Sequence, residues 1–205
     1  MARWERGDGL LARARLSELL DRMQFPGHGL AAADLAHALA GLEHIESCPG
    51  GRDLRGYRLD TALVGVDLAG FDLSFATLGA DLVDCDLRGA RLDEATADGI
   101  LLLSRLDGVS ARGARLVACD LHGVPARAAI FDDAVLAGSS FMGADLTGAS
   151  FRGARARRTS FERAILAGCD FRRAVLDEAT FVDARVSSST NLDDARLDRL
   201  NLRHT

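Results

Sequence analysis

From Arg52 to Leu202 the chain sets a leucine or phenylalanine at nearly every fifth residue. The run starts at Leu54 and Leu59 and ends at Leu192, Leu197 and Leu202; of 31 such centres, 26 are Leu or Phe. The residue two before the centre is small, alanine in 15 of the 31, with Cys85, Cys119 and Cys169 among the others. A period of five is neither the 3.6 of a helix nor the 2 of a strand. Within one repeat, however, the small residue and the centre lie two apart, so a short extended segment points both inward. Two after the centre comes glycine: 13 of the 14 glycines from Gly56 onward sit there, all but Gly79. Glycine takes positive φ without steric penalty and so supplies a corner. Each repeat is predicted to be one short side and one turn.

Phenylalanine spacing fixes the number of sides. Phe131, Phe141, Phe151, Phe161, Phe171 and Phe181 are ten apart. A coil of 20 residues stacks Phe131, Phe151 and Phe171 on one inner wall and Phe141, Phe161 and Phe181 on the opposite one. A coil of 15 would break every stack, putting Phe131 over Leu146. Four walls are expected, as nearly eight coils, and strands spaced about 4.8 Å make a rod about 37 Å long. One residue is missing between Leu59 and Leu63, Leu78 and Leu82, and Leu102 and Leu106, which should shorten corners.

The N-terminal segment reads differently. Residues 9–24 place Ala12, Leu16, Leu19, Leu20 and Met23 on one helical stripe, and residues 31–45 do the same with Leu35, Ala38, Leu39, Leu42 and Ile45. A solenoid must cover its ends, so these helices are expected to cap the first coil. A DNA-reading helix pair is disfavoured: the segment is net −2 and the second helix has no arginine. At the other end the repeat runs on through Leu197, Leu200 and Leu202, with a bulky Leu200 where alanine is the rule. An uncovered apolar end predicts a homodimer through the C-terminal coils.

The consensus A-D-L-x-G, as in Gly143–Ala154 (GADLTGASFRGA), resembles the pentapeptide-repeat family over about three quarters of the chain. The resemblance implies a mainly β chain: a right-handed quadrilateral β-helix over residues 52–205 with a small helical cap over residues 1–51. It implies a non-enzymatic binding protein. Some members are rods resembling B-DNA that bind DNA gyrase or topoisomerase IV and protect it from inhibitors, and a type II topoisomerase is the partner this implies. The competing reading is a rigid interaction scaffold without DNA mimicry. Charge bears on the choice, because residues 52–107 carry 11 acidic and 6 basic groups, while residues 108–191 carry 9 acidic and 11 basic.

Chemistry adds little. No GxSxG, phosphate loop or paired cysteine ligands occur, so no catalytic residue, metal or cofactor is expected. His37 and His44 share a helical face without further ligands aligned. All 25 basic residues are arginine, which coding bias explains more simply than selection for anion binding. Unpaired cysteines suit a reducing compartment, and no apolar run is long enough to cross a bilayer; a cytoplasmic protein without membrane or direct nucleic-acid contact is expected. Candidate partner surfaces are Leu101 and Leu103, which flank Leu102, the corner residue Phe75, and an arginine wall of Arg152, Arg155, Arg157, Arg158 and Arg172.

Overall fold

The computed structural model describes residues 53–59, 63–79, 81–97 and 104–202. The two helices expected over residues 9–24 and 31–45, Leu101, Leu103 and part of each shortened corner lie outside these residues.

The described chain winds as a parallel solenoid in which each side pairs with the side one coil on. Six sides are long enough to be strands: β1 (Arg58–Leu59), β2 (Leu63–Val64), β3 (Thr77–Leu78), β4 (Leu82–Val83), β5 (Thr96–Ala97) and β6 (Arg115–Leu116). They pair parallel in the orders β1-β3-β5-β6 and β2-β4. The remaining sides meet through single parallel bridges. Register shows the coil length directly. Leu59 lies on Leu78 in the first coils, Ser110 on Ile130 in the middle, and Asp170 on Asn191 near the end. Coils of 19, 20 and 21 residues follow from the deletions and from one inserted residue near Ser188. Each wall is named here by one centre: A by Phe131, B by Leu136, C by Phe141 and D by Leu146.

Backbone hydrogen bonds explain why the repeat has five residues. At the repeat centred on Phe151, the Phe151 amide donates to Asp170 O one coil ahead (2.7 Å), and Ser150 donates to Ala129 O one coil back (2.9 Å). The Gly153 amide also reaches forward, to Arg172 O (2.9 Å), and Ala154 closes the corner on Phe151 O (3.0 Å). Only the amide one after the centre lacks a backbone acceptor. The residue before the centre supplies one: Asp67, Asp86, Asp120, Asp145 and Asp170 accept from the amides of Ala69, Arg88, His122, Thr147 and Arg172. At some positions where that residue is not acidic, a carboxylate from the previous coil substitutes, as Asp93 does for Arg112, Asp107 for Arg127 and Asp132 for Arg152, and at others a serine hydroxyl does, as Ser140 for Met142 and Ser160 for Glu162. The aspartate of the consensus is thus a hydrogen-bond acceptor for the corner.

The core holds the two expected phenylalanine ladders. Phe131, Phe151 and Phe171 stack at 5.0 and 4.9 Å between ring centroids, and Phe141, Phe161 and Phe181 at 5.5 and 4.9 Å. The ladders meet edge-to-face across the tube, Phe141 to Phe151 at 5.8 Å and 87°, a favoured aromatic geometry. Small residues before the centre are not universal: Tyr57 and Phe71 occupy that position and are fully or almost fully buried. Polar residues there are satisfied in one way. Ser104, Thr159 and Thr190 donate to the carbonyls of Leu82, Leu136 and Leu166 (3.0, 2.8 and 2.8 Å), and Ser139 does so to Leu116. Among the described residues no buried side-chain nitrogen or oxygen lacks a partner.

Candidate functional site

The two ends of the solenoid differ. Centres of the first coil, Leu54, Leu59 and Leu63, are each 5% exposed, whereas those of the last, Val186, Leu192, Leu197 and Leu202, are 37–55% exposed. These last four belong to the four walls in turn, so together they form an open apolar end face. Leu200 is half-buried against the core. Along its rim the amides of Leu192, Asp194, Leu197 and Arg199 are where the inner coils bond to the coil ahead, and among the described residues they have no backbone acceptor.

The arginine wall breaks up on inspection. Glu178 takes both Arg157 (2.6 Å) and Arg158 (2.7 Å). Those two guanidinium hydrogen bonds, Arg157 first, hold its carboxyl down at about 2. Asp170 pairs with Arg172 at 2.5 Å and approaches Arg152 at 3.9 Å; the Arg172 hydrogen bond lowers its pKa. Of the five arginines singled out from the sequence, only Arg155 makes no ion pair among the described residues. Arg115, two coils earlier on the same wall, is likewise exposed and without one. The sequence does not separate these from the neutralised arginines, since pairing depends on which carboxylate the next coil brings alongside.

The acidic half shows the same local neutralisation. On walls A and D the strand positions run Asp53, Asp72, Arg91 and Asp67, Asp86, Arg105. Arg55 binds Asp53 (2.8 Å), Arg88 binds Asp86 (2.5 Å) and Arg91 binds Asp93 (3.0 Å). Phe75 stands out as an aromatic ring 65% exposed at a corner with φ of 62°, and Val64 is 66% exposed.

The described cysteines are structural. Cys169 and Cys119 donate to Leu146 O (3.0 Å) and Ala97 O (3.3 Å). Burial pushes the thiols of Cys85 and Cys169 up to about 11 and about 12. No group of three or more His, Cys, Asp or Glu suited to a metal ion occurs among the described residues.

Residues 119–155 and 157–190 match the family described as pentapeptide repeats, in eight copies. Those two segments are pentapeptide repeats. None of the curated proteins matches the chain. Among solved structures, the chain is similar to a trypsin-treated form of QnrB1, a plasmid-mediated fluoroquinolone resistance protein, at 21% identity over 73% of this chain and 77% of that one, with a TM-score of 0.45. A pentapeptide-repeat protein of the Arabidopsis thaliana thylakoid lumen matches at 26% identity over 47% of this chain and 66% of that one (TM-score 0.32). HetL of the cyanobacterium Nostoc, involved in heterocyst differentiation regulation, matches at 23% over 71% and 89% (TM-score 0.26). No helix among the described residues is long and apolar enough to cross a membrane.

Proposed function

We propose that this chain is a non-enzymatic, rigid protein-interaction rod that pairs with a second copy through its C-terminal coil, residues 186–202. The open face of Val186, Leu192, Leu197 and Leu202 carries this reading. Burying such a face removes apolar area from water at about 25 cal/mol per Å². It also brings the open strand edges of two copies together, and such edges are ready templates for pairing. At the opposite end, the low exposure of Leu54, Leu59 and Leu63 supports assigning residues 1–51 as the cap and residues 52–205 as the rod.

The partner is a protein. A DNA mimic that binds a type II topoisomerase would need a continuous negative stripe along adjacent walls. Here the acidic runs on walls A and D reach two coils before Arg91 and Arg105 interrupt them, and the scaffold reading is the better supported. Light scattering on the full chain at micromolar concentration is expected to give a dimer, and Leu197→Glu/Leu202→Glu a folded monomer; a wild-type monomer would refute the pairing. A gyrase supercoiling assay, with and without a poison, separates the two functional readings: the scaffold predicts neither inhibition nor protection at tens of micromolar protein.

A further inference from the structure

Wall B carries a feature that neither the C-terminal face nor the charge totals explain. Over the coils centred on Leu116, Leu136 and Ala156 its outward positions are Arg115, Val117 and Ala118, then Val135, Ala137 and Gly138, then Arg155, Arg157 and Arg158. No carboxylate stands among them. In the same three coils wall A has Asp132 and Asp133, wall C has Asp120 and Glu162, and wall D has Asp145. In a chain with 30 acidic and 25 basic residues, an acid-free wall is a local departure from the mixed pattern elsewhere.

Register orders this surface. Arg115, Val135, Arg155 and Val175 lie directly over one another through parallel bridges. Arg115 and Arg155 are exposed and make no ion pair among the described residues, whereas Arg157 and Arg158 are turned to Glu178. Two open guanidinium groups therefore straddle a half-buried strip of Val135, Val117 and Ala137. Their backbones are two coils apart, about 9.6 Å.

We infer that wall B between Arg115 and Arg155 is a docking surface for an acidic amphipathic helix of a partner protein, lying along the rod axis. Charge complementarity selects carboxylates, since guanidinium groups bind them bidentately. Spacing selects the helix. Residues seven apart on a helix share a face and stand about 10.5 Å apart, close to the arginine separation. Same-face residues of an extended strand stand about 6.6 or 13 Å apart and miss it. The helix's intervening apolar residues, three and four after the first carboxylate, then rest on Val135. This deepens the reading of the rod as a protein-binding surface, at a site separate from the C-terminal face.

The test uses the full chain and a fluorescein-labelled, alanine-based helical peptide with glutamates seven apart and leucines between them, read by fluorescence anisotropy. The peptide is expected to bind. Arg115→Glu/Arg155→Glu should weaken binding by at least about tenfold, and Arg105→Glu/Arg185→Glu, two open arginines on wall D, should leave it unchanged, with all forms melting alike. Replacing the peptide glutamates by glutamine should abolish binding, as should moving one to the opposite helix face. Absence of binding, equal loss in both double variants, or indifference to the glutamates overturns the assignment. Oligomeric state is read in parallel, so a dimer that ignores the peptide refutes the wall alone, and a monomer that binds it refutes only the C-terminal pairing.

Discussion

At the scale of single residues, the corner two after each centre is the most demanding position. Every described positive-φ residue sits there, 12 glycines and 13 others, including Glu94, Asp133, Arg158 and Arg173. The fold imposes the left-handed conformation whatever the side chain, although it strains an L-residue by about 1 kcal/mol. Arg173 has φ of 60° and no ion pair among the described residues. Arg173→Gly should therefore raise stability by about 0.5–1 kcal/mol in urea unfolding. Gly153 is the converse case, because a Cβ there would collide with the Asp133 carboxylate, and φ is already +66°. Gly153→Ala should cost about 1–2 kcal/mol in the same assay. Phe151 touches rings above, below and across the tube. Phe151→Ala should cost about 3–5 kcal/mol, and Phe151→Asp, which buries an unpaired charge, should abolish the cooperative melt.

At the scale of the pentapeptide, the unit is a side, a corner and an acceptor for one otherwise unbonded amide. Asp145 shows the logic, accepting from the Thr147 amide (3.1 Å) and hydroxyl (2.6 Å) and from Arg127 (2.6 Å). Asp145→Ala should lose about 0.5–1.5 kcal/mol. Asp145→Asn keeps the acceptor and forfeits mainly the exposed Arg127 pair, so its loss should be clearly smaller. Equal losses from the two would show that charge, not acceptor geometry, is what the position requires. The period of five was legible from the residues, and so was the inward pair in each repeat. That the aspartates beside the core leucines bond turn backbone or face water was legible too, but which amide they serve was not, because it is identified only once the other amides have found partners in neighbouring coils.

At the scale of the whole molecule, stability is summed along a stack in which each coil touches only its neighbours. Its charges respond to acid in a defined direction. Glu178, Asp86 and Asp170 have pKa values lowered by guanidinium hydrogen bonds. A carboxylate depressed in the folded state adds stability above its ordinary pKa, and loses it as pH falls through the folded value. The melting temperature should therefore fall from about pH 4.5 toward pH 2, and Glu178→Gln should make that decline shallower. The burial of Cys85, Cys119 and Cys169 predicts that, with Cys48→Ser, no cysteine reacts with a disulfide reagent at pH 8 until the coil is unfolded, when three do. Stoichiometric reaction of the native protein would place a thiol at the surface.

The amino-acid pattern alone determined the solenoid, its four walls, the inward phenylalanines and the exposed end at Leu197 and Leu202, because each depends on periodicity and on which side chains avoid water. Only the tertiary structure decided which arginines are neutralised and that Tyr57 and Phe71 fit where small residues are the rule. It also decided that wall B alone is free of carboxylates over three coils. These depend on contacts between residues about 20 apart, whose geometry is set by coil register and by side-chain reach, and neither is written in the order of residues along one repeat.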